Sequence, residues 1–225
     1  MYKTYVMHYK PATDRYYFMC NQLQENNIKN YEFVTDYDKE ELTQELISEY
    51  YDTDPKYQVE ASLASTRGGG PIEYRKLKDS EISLFIKYMK TFEKIISNNM
   101  RYALFLEDDC VFTNNQISID TIIQNAPKDF DAIFIGGGFD INIIKPLNII
   151  SGFVLADHPA TNTTSSFILS VKGIKKILKF CKPFSLPVDW HLNYAFKMTN
   201  SKVYHTLPYI CGQASNQIFK SLIGH

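Results

Sequence analysis

Apolar runs of strand length alternate with stretches of helical period along this chain, and that alternation restricts the possible folds more than any other feature. Tyr2 to Tyr9 alternates and is rich in Tyr and Val, as a first strand would be. Pro11 and Asp14 then mark a turn into a helix over 13–26, "YEFVTDY" at 31–37 reads as a second strand, and 39–50 reads as an acidic helix with Leu42, Leu46 and Ile47 on one face. A long helix follows over 79–97, with Ile82, Phe85, Ile86, Met89, Phe92 and Ile96 in its stripe. Next come the strand "RYALFLEDDC" (101–110), a helix over 117–124, and the strands "FDAIFIGGG", "NIISGFVLA" and "SSFILS". "VKGIKKILKFC" is a basic amphipathic helix, "LPVDWHLNYAFKM" a helix begun through Pro187, and "KVYHTLP" a last strand. Strands alternating with helices predict an α/β class, with a mostly parallel sheet covered on both faces. No repeat or second boundary is visible, so residues 1–225 read as a single domain.

The periodicity fails over 53–79, where Pro55, Gly68 to Gly70 and Pro71 sit in a polar setting. A loop of that length in a compact domain serves as a lid or binding loop, so a mobile loop is expected there. The 24 basic and 25 acidic side chains nearly cancel, which gives no sign of a nucleic-acid or membrane-surface partner. No run is apolar enough for a signal peptide or a spanning helix, so the expectation is a soluble, cytoplasmic protein. High Asn, Ile, Lys and Tyr content suggests an AT-rich genome, bacterial or viral. Four widely spaced cysteines fit reduced thiols better than a zinc site or a disulfide framework.

In "YALFLEDDC" a buried strand ends in Glu107, Asp108 and Asp109. Ligands of α/β sheets gather at the carboxyl ends of strands, where the loops converge. If the chain stays extended, the period of two puts Glu107 and Asp109 on one face and Asp108 on the other. Two carboxylates on one face form a half-site for Mg²⁺ or Mn²⁺, which take oxygen ligands and complete their shell with water and phosphate. Solvation of a strand end is the alternative, but three adjacent acids repel one another without a counter-ion. Phosphoryl transfer, phosphodiester hydrolysis and nucleotide-sugar transfer would all use such a site. Gly136 to Gly138 lack the spacing of a phosphate loop and read as a strand-end turn.

The order of several segments narrows the choice. "YALFLEDDCVF" resembles the Leu-Glu-Asp-Asp segment of glycosyltransferase family 25, which includes lipopolysaccharide-type sugar transferases and collagen galactosyltransferases. "TDRYYFMCNQL", "DSEISLFIKYMKTFEKI", "FDAIFIGG", "SSFILSVKGIKKIL", "PVDWHLNYAF" and "LPYICGQASNQ" follow the family order, so the resemblance runs from Tyr5 to about Gln217. It implies a GT-A fold, a UDP-sugar donor, a Mn²⁺ or Mg²⁺ cofactor, and a glycan, lipopolysaccharide-like or protein-linked acceptor. It also implies that Asp109 is the principal metal ligand, aided by Glu107 and a late histidine, His205, with His191 a weaker rival. Asp108 would contact ribose or sugar, and Arg67 with its neighbouring glycines would close over the donor phosphates; Asp14 and Arg15 either cap and pair within their helix or contact the nucleotide. Asp189, just inside a helix start, is the candidate general base of an inverting transfer, and Trp190, the only tryptophan, a sugar platform. Lys87-Tyr88 stands where the family has Ser-His. That departure keeps a catalytically silent nucleotide-sugar or glycan-binding module open beside the transferase, as the carboxylates keep a metal-dependent phosphotransferase or phosphoesterase.

Overall fold

The computed structural model describes residues 2–65, 75–98, 100–113, 117–137, 146–150, 152–156, 163–214, 218–220 and 222. In chain order these form β1 (Tyr2–Met7), α1 (Thr13–Glu25), β2 (Tyr31–Val34), α2 (Gln44–Tyr50), α3 (Pro55–Ser65), α4 (Asp79–Ser97), β3 (Tyr102–Glu107), β4 (Cys110–Phe112), α5 (Ile119–Asn125), β5 (Ala132–Phe134), β6 (Pro146–Ile150), β7 (Phe153–Ala156), β8 (Ser166–Ser170), α6 (Val171–Ile177), α7 (Val188–Met198), β9 (Val203–Thr206) and β10 (Cys211–Gln213). Among the described residues, an eight-stranded sheet runs in the order β2-β1-β3-β8-β5-β9-β7-β6. Only β7 and β8 run against the other strands, so the sheet is mostly parallel, as the alternation predicts.

The middle of the sheet is covered twice. In β3, Ala103 and Phe105 point into a core shared with α4, α6 and α7, while Leu104 and Leu106 point into a second core under α1 and α5. Burial on both faces is why this strand reads as a continuous apolar run rather than an alternation. The first core is pinned by Phe85 of α4 and Phe184, whose rings stack 3.9 Å apart and within 2° of parallel. Among the described residues, no helix is long and apolar enough to cross a membrane.

Four features differ from the sequence reading. The stretch "NIISGFVLA", read as one strand, is a hairpin: its first residues belong to β6 and its last to β7, paired antiparallel, with Gly152 at φ +85° turning the chain between them. Within 53–79, expected as loop, Pro55–Ser65 is helix α3. Proline breaks a helix interior but suits its first position, where its missing N–H would have no partner anyway. Asp54 Oδ1 accepts the Lys56 N–H at 2.9 Å, and the Gln58 carboxamide donates to the carbonyls of Ser185 at 2.7 Å and Arg75 at 3.0 Å, which ties the helix to the body of the protein. Residues 66–74, with Arg67 and Gly68 to Gly70, lie outside the described residues. The acidic helix expected over 39–50 divides into a 3-10 turn, Lys39–Glu41, and α2, because Thr43 stays extended and accepts the Leu46 N–H on its Oγ1 at 3.2 Å. Finally, β4 and β10 pair antiparallel as a separate ribbon, each strand too short to show a period. Gly136 lets that ribbon close on the sheet, since a Cβ there would lie 2.4 Å from Ser166 Oγ and 2.8 Å from the Cys211 carbonyl oxygen.

Candidate active site

From β1 the chain passes to β2 on one side and later returns to β3 on the other. Where successive connections depart in opposite directions, a crevice opens beyond the carboxyl ends of the strands. A cleft of about 840 Å³ lies there. His8 follows β1, Asp38 follows β2, Glu107 to Asp109 end β3, Thr163 and Thr164 precede β8, and Asp189 and Trp190 open α7; all of them line it.

The three acids are not equivalent. β3 stops at Glu107 and the backbone turns at Asp108 and Asp109, so the period-two assignment of faces does not extend past Glu107. Asp108 is held by the protein itself. Its Oδ1 accepts from Arg15 Nη1 at 2.7 Å, and its Oδ2 lies 2.9 Å from His8 Nδ1. Burial raises the Asp108 carboxyl, but the hydrogen bonds from His8 and Arg15 outweigh it and hold the group below the ordinary carboxylate range. Both oxygens of Asp108 are thus engaged within the protein. Arg15, also buried, donates through Nη2 to the Lys220 carbonyl at 2.7 Å and lies 3.6 Å from Asp109 Oδ2, so it neutralises the cluster from behind. Asp14, its neighbour, is exposed on α1 and does not line the cleft.

Glu107 accepts from Thr164 Oγ1 at 2.6 Å and from Gln213 Nε2 at 3.5 Å. Burial, reinforced by the charges of Asp109, Asp189 and Asp108, pushes its carboxyl up to about 8 against the Thr164 bond. A cation near Glu107 and Asp109 relieves that repulsion. The larger ligand set expected from the sequence is not assembled, however. His205 is buried on β9, stacked on Phe134 at 5.6 Å with Nδ1 2.9 Å from Tyr209 Oη, and does not line the cleft. A central strand of this sheet buries its side chains on both faces, and that burial keeps His205 inside. Among the described residues, no group of three or more His, Cys, Asp or Glu side chains is arranged to hold a metal ion. Glu107 and Asp109 both line the cleft and supply the oxygen donors that a hard cation takes. His191 is likewise a core residue, with Nε2 2.8 Å from the Phe180 carbonyl and burial lowering its pKa to about 4.

Asp189 lies in the first turn of α7 and accepts the Trp190 N–H on Oδ1 at 3.0 Å. Burial pushes its carboxyl up to about 6; that backbone bond opposes the rise and the Glu81 charge adds to it. Such a group is ionised at neutral pH yet more basic than an ordinary aspartate, as a proton acceptor should be. Trp190 packs against the small cluster of Ala61, Leu186 and Tyr194 and also lines the cleft.

Sequence reasoning missed the support beneath these groups. Lys87 is 3% exposed, and its Nζ donates to the His8 carbonyl and to Asp38 Oδ1, both at 2.5 Å, tying α4 to the ends of β1 and β2. Tyr88 Oη donates to the Thr164 carbonyl at 3.2 Å, behind the Glu107 partner. The departure from the family at Lys87-Tyr88 thus forms part of the cleft's foundation. His8 had a usable signal in its place at the end of the first strand, whereas Asp38 and Thr164 had none.

A sequence model described as glycosyltransferase family 25 (LPS biosynthesis protein) matches residues 1–192. Among solved structures, the chain aligns with A197 from STIV over 98% of both chains, at 10% identity and a TM-score of 0.46. It aligns with the galactosyltransferase LgtC, in complex with donor and acceptor sugar analogs, over 91% of this chain and 73% of that one, at 12% identity and a TM-score of 0.40. No curated protein matches the chain.

Proposed function

The chain belongs to glycosyltransferase family 25 and is a glycosyltransferase, and from that premise we propose that it moves a hexose or N-acetylhexosamine from a UDP-sugar to a glycan or protein-linked acceptor, with inversion at the anomeric carbon. The diphosphate lies in the cleft beyond β1 and β3. Glu107 and Asp109 would hold Mn²⁺ or Mg²⁺ there, and the ion would supply positive charge against the leaving diphosphate. Asp189 takes the proton from the acceptor hydroxyl, whose oxygen forms the new bond to the anomeric carbon. The bond from that carbon to the phosphate oxygen breaks with its electron pair on UDP, and Asp189 returns its proton to solvent. Arg15 and Lys87 keep the acidic cluster and the ends of β1 and β2 in place.

The observation that carries this reading is the meeting of Asp189 with the Glu107–Asp109 pair in one cleft, close enough for the Asp189 charge to raise Glu107. The test incubates the protein with UDP-glucose, UDP-galactose and UDP-N-acetylglucosamine, Mn²⁺ and a panel of glycan acceptors, and follows UDP release. The expected result is release from one donor, stimulated by an acceptor and lost in Asp109→Ala and Asp189→Asn. Donor binding without release under every condition points to a silent module, and phosphoester hydrolysis without a sugar requirement points to a phosphoesterase; either overturns the proposal.

A further inference from the structure

We infer that a second, smaller cavity beside the cleft is the acceptor subsite and takes one uncharged pyranose ring against Trp190; this rests on the transferase reading above. The cavity measures about 180 Å³ and is lined by Gln58, Arg75, Leu77, Leu186, Pro187 and Trp190. Arg75, Pro187 and Trp190 line the main cleft as well, so the two spaces meet beside Asp189. A sugar seated in the smaller space turns an edge toward that carboxylate, while the donor occupies the side of Glu107 and Asp109. The volume admits a single ring, and a longer glycan extends into the open cleft.

The lining also selects the chemistry. Both N–H bonds of the Gln58 carboxamide are committed to the Ser185 and Arg75 carbonyls, and its oxygen accepts the Arg75 N–H at 2.9 Å. The Arg75 guanidinium is held by Glu81 through bonds of 2.8 and 2.6 Å. Among the described residues, the one cation lining this cavity is therefore already neutralised, and an acidic sugar would enter without a charge partner there. Leu77, Leu186, Pro187 and the Trp190 ring supply apolar surface that matches the C–H face of a pyranose. Helix α3, which the sequence pattern concealed, contributes the Gln58 wall.

Trp190 is the only tryptophan, so its emission reports on this cavity and the cleft it adjoins, and variants of Leu77, which lines the cavity and not the cleft, separate the two. Protein with UDP and Mn²⁺ is titrated with methyl galactoside, methyl glucoside, methyl N-acetylglucosaminide and methyl glucuronide. Saturable change in emission is expected with at least one neutral glycoside and not with the glucuronide. Leu77→Phe, which fills the cavity, is expected to raise the half-saturating glycoside concentration and the acceptor KM by about tenfold, the equivalent of about 1.4 kcal/mol, and the gentler Leu77→Met to raise both by less. The UDP concentration giving a half-maximal melting shift stays unchanged in both, which keeps the donor site as an internal reference. Transfer with unaltered acceptor KM in both folded variants, or a glucuronide response equal to the neutral one, overturns the acceptor assignment alone. UDP binding with no sugar turnover and no glycoside response in the parent protein overturns the transferase reading with it.

Discussion

Arg15 Nη1 and Asp108 Oδ1 meet at 2.7 Å across 93 positions of sequence, both side chains nearly sealed from solvent. The pair joins α1 to the end of β3 and makes the middle acid of the cluster a structural member. Removing one partner of a buried pair strands the other charge, at a cost of about 3–5 kcal/mol. Asp108→Ala is therefore expected to lose stability of that order in denaturant melts. Asp109→Ala is expected to lose much less stability, but to lose the melting shift that UDP with Mn²⁺ produces in the parent protein.

As the proposed base, Asp189 is expected to set the acid limb of the activity profile. Its carboxyl, raised by burial to about 6, accepts a proton only when ionised, so kcat/KM falls about tenfold per pH unit below that value. Asp189→Asn lowers kcat by about 10² to 10⁴ and flattens that limb. The stability effect has the opposite sign. A carboxyl whose folded pKa lies above its unfolded one near 3.8 contributes stability at low pH that is lost as pH rises through about 6. Asp189→Asn is accordingly more favourable to stability, relative to the parent, at pH 7 than at pH 4, as paired melts would measure.

Lys87 and Asp38 form a second buried ion pair, 2.5 Å apart. Lys87→Met leaves Asp38 charged and without its cation, and costs about 3–5 kcal/mol. The double change Lys87→Met with Asp38→Leu recovers most of that loss, because no charge is left buried. A double-mutant cycle by chemical denaturation gives the coupling; additive single effects would rule out the pair as a unit.

Phe85→Ala opens a cavity in the core on the α4 side of the sheet and costs about 3–5 kcal/mol. Tyr17, which is 68% exposed, serves as the control: Tyr17→Ser changes stability by about 0.5 kcal/mol or less. Both values come from the same urea titrations.

Much of this protein is legible locally. The apolar run Tyr102 to Leu106 ending in carboxylates, the buried stripe of α4, and Asp189 beside Trp190 at a helix start each follow from periodicity, charge and capping within a few residues. Those patterns record which side of an element is buried, and burial together with strand–helix alternation is enough to specify a mostly parallel α/β sheet. They do not record which distant element covers it. Strand order alone brings Arg15 and His8 onto Asp108, sets Lys87 beneath β1 and β2, and leaves His205 inside the sheet. Three adjacent acids of like chemistry thus part ways: the backbone turns after Glu107, and the partners waiting for Asp108, His8 after β1 and Arg15 on α1, come from nearly a hundred residues earlier.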